Sequence, residues 1–214
     1  MTLPFTQREF FEVFGRYNEA VTPLQIGLVL LGVSAYVALT VRRRDSDRVI
    51  SLILAGLWSW AGLVYHLIFF RPVNPAATLF GVAFLAAAAL FVWAGVLRGS
   101  LVFDCESRAR RVVGHTLVAY ALVGYPLLSA MLGRTFPQLP TFGLPCPTTI
   151  FTLGMLAFLS RPLPRYVFAL PIAWALIGAQ AAMTLGVYED LGLLVAGLAG
   201  LWLALDPPAW RQRA

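Results

Sequence analysis

Seven stretches of this chain carry no charged residue: 23–41, 49–70, 76–97, 112–132, 147–160, 166–186 and 191–205. Most are long enough to cross a hydrocarbon layer ~30 Å thick as a helix. Backbone N–H and C=O groups find no water in such a layer, so the chain must satisfy them itself, and an α-helix does so within one segment. The sequence is 59% hydrophobic and only 12% charged, where a soluble domain carries about 25% charged residues. The expectation is an all-α, polytopic transmembrane helix bundle, one integral membrane domain over residues 1–214 with no room for a second, soluble one.

The charged residues set the topology. All 16 basic residues are arginine. A retinal Schiff base needs a lysine amine, so seven spans are not a rhodopsin here. The net charge of +6 is no nucleic-acid signal, because the arginines gather at helix ends. With the N-terminus outside, Arg42, Arg43, Arg44, Arg48, Arg98, Arg108, Arg110, Arg111, Arg161, Arg165, Arg211 and Arg213 fall inside, and Arg8, Arg16, Arg71 and Arg134 outside. That twelve-to-four bias predicts seven spans with the N-terminus out and the C-terminus in. Six spans would break the alternation at the last loop. No cleavable signal peptide is expected, since the first apolar run begins near Thr22 and ends in three arginines.

Ahead of the first span, residues 3–20 read as a short amphipathic interfacial helix. Thr6 and Glu9 have capping-box spacing, and Phe10, Phe11, Phe14 and Tyr17 share one face. Such a helix lies in the interface or packs over the bundle mouth. Thr22, Pro23 and Gln25 then read as the start of a separate spanning helix.

Residues 142–151, FGLPCPTTIF, are the most unusual stretch. Pro147 drives Cys146 out of the α region, which predicts Cys146 at an N-cap with Pro147 at the first helical position. A sulfur there faces unpaired N–H groups, which favour thiolate. The span that follows, 147–160, is short. Either it is tilted in a region covered by protein, or the loop before it dips into the membrane.

The threading sends Asn18, Glu19, Gln25, His66, Asn74, Arg134, Cys146, Thr148, Glu189 and Asp190 to the outer end, with Gln180 about two turns inside the sixth span. Ionisable groups in a membrane domain are functional candidates, so a site is expected to open outward. Cys105 and Cys146 lie on opposite sides, which excludes a disulfide between them. His66 and His115 are separated by ~20 Å in depth at 1.5 Å per residue, too far to clamp one haem.

Several of these residues also carry a family likeness. Residues 14–19 (FGRYNE), Tyr65-His66-Leu67 with Phe69-Phe70, Asn74-Pro75-Ala76-Ala77, the 142–151 motif and residues 186–192 (GVYEDLG) resemble a set of bacterial multi-pass membrane proteins classed as a domain of unknown function. The resemblance covers most of the chain and implies a polytopic inner-membrane protein. It brings no reaction, substrate or cofactor.

Three readings of the outer residues follow. In the first, they bind or transport a small solute or a soft metal ion, with Cys146, His66 and Glu189 as ligands; no other cofactor is evident. In the second, the protein is an enzyme with Cys146 as nucleophile, His66 as base and Glu189 or Asp190 orienting it. In the third, Glu19, Arg134, Glu189 and Asp190 form ion pairs that close the bundle of a structural or sensory module. Partners are the lipid bilayer, the solute or metal, and a second copy of the chain through the small-residue stripe Gly178, Ala182 and Gly186.

Overall fold

The computed structural model describes residues 4–160 and 163–205. Arg161, Arg211 and Arg213 of the arginine count lie outside the described residues. Among the described residues the chain is helical without a strand: α1 Gln7–Val41, α2 Ser46–Phe70, α3 Ala77–Leu97, α4 Arg108–Met131, α5 Pro145–Leu156, α6 Arg165–Leu185 and α7 Tyr188–Leu205. All but α5, six helices in total, are long and apolar enough to cross a membrane. The outward faces carry Ile26, Leu30, Leu79, Val82 and Val195, all well exposed, while Trp58, Phe84, Phe91 and Phe151 fill the interior. A helix bundle in water buries such an apolar face, and one in lipid has no need to.

Among the described residues the candidate spans are therefore six helices, not the seven expected. The fifth is a 12-residue helix, ~18 Å long at 1.5 Å per residue, short of the bilayer core. It is enclosed by α2, α4, α6 and α7, and residues 147–159 are buried without exception. Helix length is set by hydrocarbon thickness only where lipid is the solvent. Protein is the solvent around α5, so the chain on either side of it can leave the helical state.

The N-terminal expectation also changes. α1 is one continuous helix of 35 residues, ~52 Å long, and not an interfacial helix followed by a span. Its start is as expected: Thr6 and Glu9 form the capping box. Thr22 does not cap; its hydroxyl donates to the Asn18 carbonyl one turn back, at 2.5 Å, and Pro23 lies inside the helix. The aromatic face of the first turns makes continuity favourable. Phe10, Phe11, Phe14 and Tyr17 are buried in a second core with Tyr65, Phe70, Leu185 and Val187, so the N-terminal half of α1 roofs one end of the bundle, here the upper end.

The opposite end is tied by arginines. Arg42 donates to the Phe103 carbonyl and pairs with Asp104 at 3.2 Å, and Asp47 accepts from the Phe103 N–H at 2.9 Å. Arg110 donates to Leu159 O at 2.6 Å, and Ser160 N–H donates to Val102 O at 2.7 Å. These bonds anchor the exit of α5 among the arginine-rich loops. His115 meets the Tyr36 hydroxyl at 2.7 Å.

Candidate functional site

The 142–151 motif joins a loop that sinks into the bundle to the start of α5. Before it, the chain descends along α1. Asn18 donates to Pro137 O at 2.5 Å and to Leu139 O at 2.7 Å, and its own oxygen accepts from Gln25 and from Thr141. Deeper down, the Phe142 ring lies over Gly32, where a Cβ would come within 2.9 Å of it. Gly143 takes φ 101° and a Cβ on it would meet Leu28 Cδ1 at 2.4 Å, so both backbone and space require glycine. From Asn18 to Leu28 the loop has sunk ~15 Å along the helix. This is the dipping loop anticipated as one of two alternatives.

α5 starts at that depth. Leu144, not Cys146, is the N-cap, and Pro145 opens the helix. Pro147 does not evict Cys146 from the helical region, because the first turn of a helix leaves N–H groups unpaired and tolerates proline there. Cys146 sits inside the first turn, close to Gly178 of α6, where a Cβ would lie 3.9 Å from the sulfur. The Asp190 carboxyl lies beside the sulfur.

A cavity of about 490 Å³ opens above Cys146. Its walls are aromatic, from Phe10 and Phe14 of α1, Tyr65 and Phe70 of α2, and Trp174 of α6. Its closed end holds Cys146, Tyr125 and Asp190. Ile177, Gln180 and Thr184 recur at helical spacing on α6, line the cavity and are exposed, so they form its mouth. Asn74 also lines it, with its side-chain oxygen accepting from Ala76 N–H at 3.0 Å. The last ten residues of α2, Ala61–Phe70, are π-helical, a winding that appears often at functional sites. Tyr65 in it lines the cavity and its neighbour His66 does not.

His66 is fully buried in an aromatic box. Phe84 lies 4.8 Å and Trp174 4.9 Å from its ring, centroid to centroid. Neither ring nitrogen has a hydrogen-bond partner among the described residues. Trp174 packs on His66 and lines the cavity with Cys146, while His66 does not line it. The nucleophile–base bond of a Cys146–His66 pair is not made.

Glu189 and Asp190 share a 3-10 turn, Tyr188–Asp190, that opens α7. The left-handed Gly186, φ 65°, ends α6 just before it. Glu189 is fully buried; its Oε1 accepts from Ser129 at 2.8 Å and from Arg134 Nε at 3.1 Å. Arg134 also donates to Gly186 O at 2.9 Å and lies 3.7 Å from the Phe11 ring centroid. Asp190 turns the other way, lines the cavity and accepts from Tyr125.

The predicted outer residues thus separate. Cys146, Asn74, Gln180 and Asp190 line the cavity. Arg134 and Glu189 close the bundle, and Asn18 and Gln25 pin the descending loop. Thr148 is buried in the first turns of α5, its carbonyl accepting from Thr152 at 2.8 Å. Glu19 is exposed beside Glu12 and Arg16, away from the others. Among the described residues, no three His, Cys, Asp or Glu side chains gather where they could hold a metal ion, so Cys146, His66 and Glu189 are not a ligand set. Of the small-residue stripe, Gly178 and Ala182 are buried, Gly178 against Leu193 of α7, and Gly186 is a helix cap. The residues missed as site members are Tyr125, Ser129 and Trp174. Tyr125 and Ser129 are four apart on one helix, a spacing that presents two hydroxyls on one face, and these meet the neighbouring acids Asp190 and Glu189.

Fold and site together define a helical protein with six candidate membrane spans, a short helix buried among them and an aromatic cavity closed by a carboxyl and a thiol. The chain belongs to the family of unknown function DUF6064, whose pattern it matches over residues 7–212. None of the curated proteins and none of the solved structures matches it.

Proposed function

We propose that this is a multi-pass protein of a bacterial inner membrane that binds a small, largely apolar solute in the upper cavity. The observation that carries this reading is the cavity itself: about 490 Å³, within the ~300–1,000 Å³ of small-molecule sites, walled by aromatic rings and closed by a few convergent polar groups. The arginine bias supports placing the cavity end outside. Uptake or transfer of the bound solute is the role that a mouth on the outer face of α6 suits.

The third reading keeps Arg134 and Glu189. Their buried pair, with Asn18 and its loop, is bundle closure, and it leaves the cavity residues free for binding.

The test uses purified protein in maltoside detergent with tert-butylbenzene as a neutral probe. A ligand that binds only the folded state raises the melting temperature. The expected result is a rise for the wild type and none for Thr184→Trp, a substitution that fills the mouth from an exposed position. Absence of a rise in the wild type, or an equal rise in both proteins, would overturn the proposal.

A further inference from the structure

We propose that the solute the cavity is built for is an organic cation, an amine or quaternary ammonium on an apolar body, with Asp190 as its counter-ion. This rests on the cavity reading above and names the ligand class for the same site.

Charge placement is the first support. Asp190 is only 3% exposed, and among the described residues it has no salt bridge. The nearby cation, Arg134, is committed to Glu189 Oε1, Gly186 O and the Phe11 ring. The groups that face Asp190 are neutral: the Tyr125 hydroxyl and the Cys146 thiol. A buried carboxylate is costly unless a cation pairs with it. Glu189, one residue earlier, has its cation within the chain. Asp190 has a cavity in the same place.

The walls are the second support. Phe10, Phe14, Tyr65, Phe70 and Trp174 surround the space in front of Asp190. Aromatic ring faces carry negative potential and attract cations, most strongly where water is excluded, and cages of this kind recognise quaternary ammonium groups. An anionic ligand would meet repulsion from both the acid and the rings. A bare metal ion would leave most of the volume unfilled. The mouth residues Ile177, Gln180 and Thr184 lie on a face of α6 that also exposes Leu176 and Met183, so an apolar body can enter along the lipid-facing side.

The experiment compares phenyltrimethylammonium with tert-butylbenzene, which has the same shape and no charge. Both are titrated into the wild type and Asp190→Asn in maltoside detergent, with melting temperature and calorimetric affinity as readouts. The expected result is wild-type affinity at least tenfold tighter for the cation than for the neutral isostere. In Asp190→Asn the cation's advantage falls below threefold, while tert-butylbenzene binds as before. Equal wild-type affinities, or a cation preference that survives Asp190→Asn, would overturn the cation proposal and leave the cavity reading standing. If neither compound binds, both fall. Should Asp190→Asn fail to fold, the wild-type comparison still decides.

Discussion

Arg134 pairs with Glu189 and not with Asp190. The guanidinium Nε lies 3.1 Å from Glu189 Oε1, and the adjacent carboxyl faces the cavity. One turn of chain thus presents two acids to two environments, one neutralised within the protein and one available to a ligand.

Removing Arg134 leaves a fully buried Glu189 facing only the Ser129 hydroxyl. Loss of one partner of a buried pair costs about 3–5 kcal/mol, and the low end is expected because the arginine side chain is 19% exposed. Arg134→Ala should therefore unfold by about 3 kcal/mol more easily in denaturant. Arg134→Ala with Glu189→Gln should recover part of that loss, because the amide needs no counter-ion. No recovery would mean that Arg134 acts through Phe11 and Gly186 instead.

Asn18 holds the descending loop through two carbonyls and two side chains. Asn18→Ala strands buried acceptors at about 1–3 kcal/mol each. Hydrogen exchange should speed up over residues 137–144 and remain slow in α2 and α3. Uniform acceleration across the chain would show that Asn18 supports the whole bundle and not this loop.

Two glycines with positive φ separate strain from crowding. Gly133, φ 86°, has open space around a Cβ, while Gly143, φ 101°, meets Leu28. Gly133→Ala should cost about 1 kcal/mol of backbone strain. Gly143→Ala adds a clash that α1 must absorb, and its thermal unfolding should fall well below that of Gly133→Ala. Equal effects would remove the close approach of loop and helix from the account.

Cys146 should be a slow, enclosed thiol. In a Cys105→Ser background, N-ethylmaleimide should label it on the order of tenfold more slowly than a free thiol. A bulky, charged maleimide should not label it at all, and tert-butylbenzene should protect it. Rapid labelling by the bulky reagent would place the sulfur outside the cavity.

Much of the architecture was legible before any coordinates. The charge-free runs marked the helices, the Thr6–Glu9 pair marked the first helix start, and Phe10, Phe11, Phe14 and Tyr17 marked the face that roofs the bundle. The 142–151 motif stood out because prolines and a cysteine between a polar loop and an apolar run are locally unusual. Its depth was not legible. The cap assignment was off by two residues because proline restricts its own neighbour but does not reveal which first-turn position that neighbour fills.

The sequence by itself determined what its local chemistry can express: helices, the apolar character of their faces, and the ends where polar residues collect. Those follow from spacing and hydropathy along one segment. Only the tertiary structure decided that α5 is a short helix enclosed by its neighbours, that His66 is boxed by aromatic rings while Cys146 lines the cavity, and that Glu189 has a cation while Asp190 has a cavity. Each of these depends on the rotation of one helix against another. A rotation of 100° per residue sends adjacent side chains to different neighbours, and nothing local in the chain states which neighbour waits on which side.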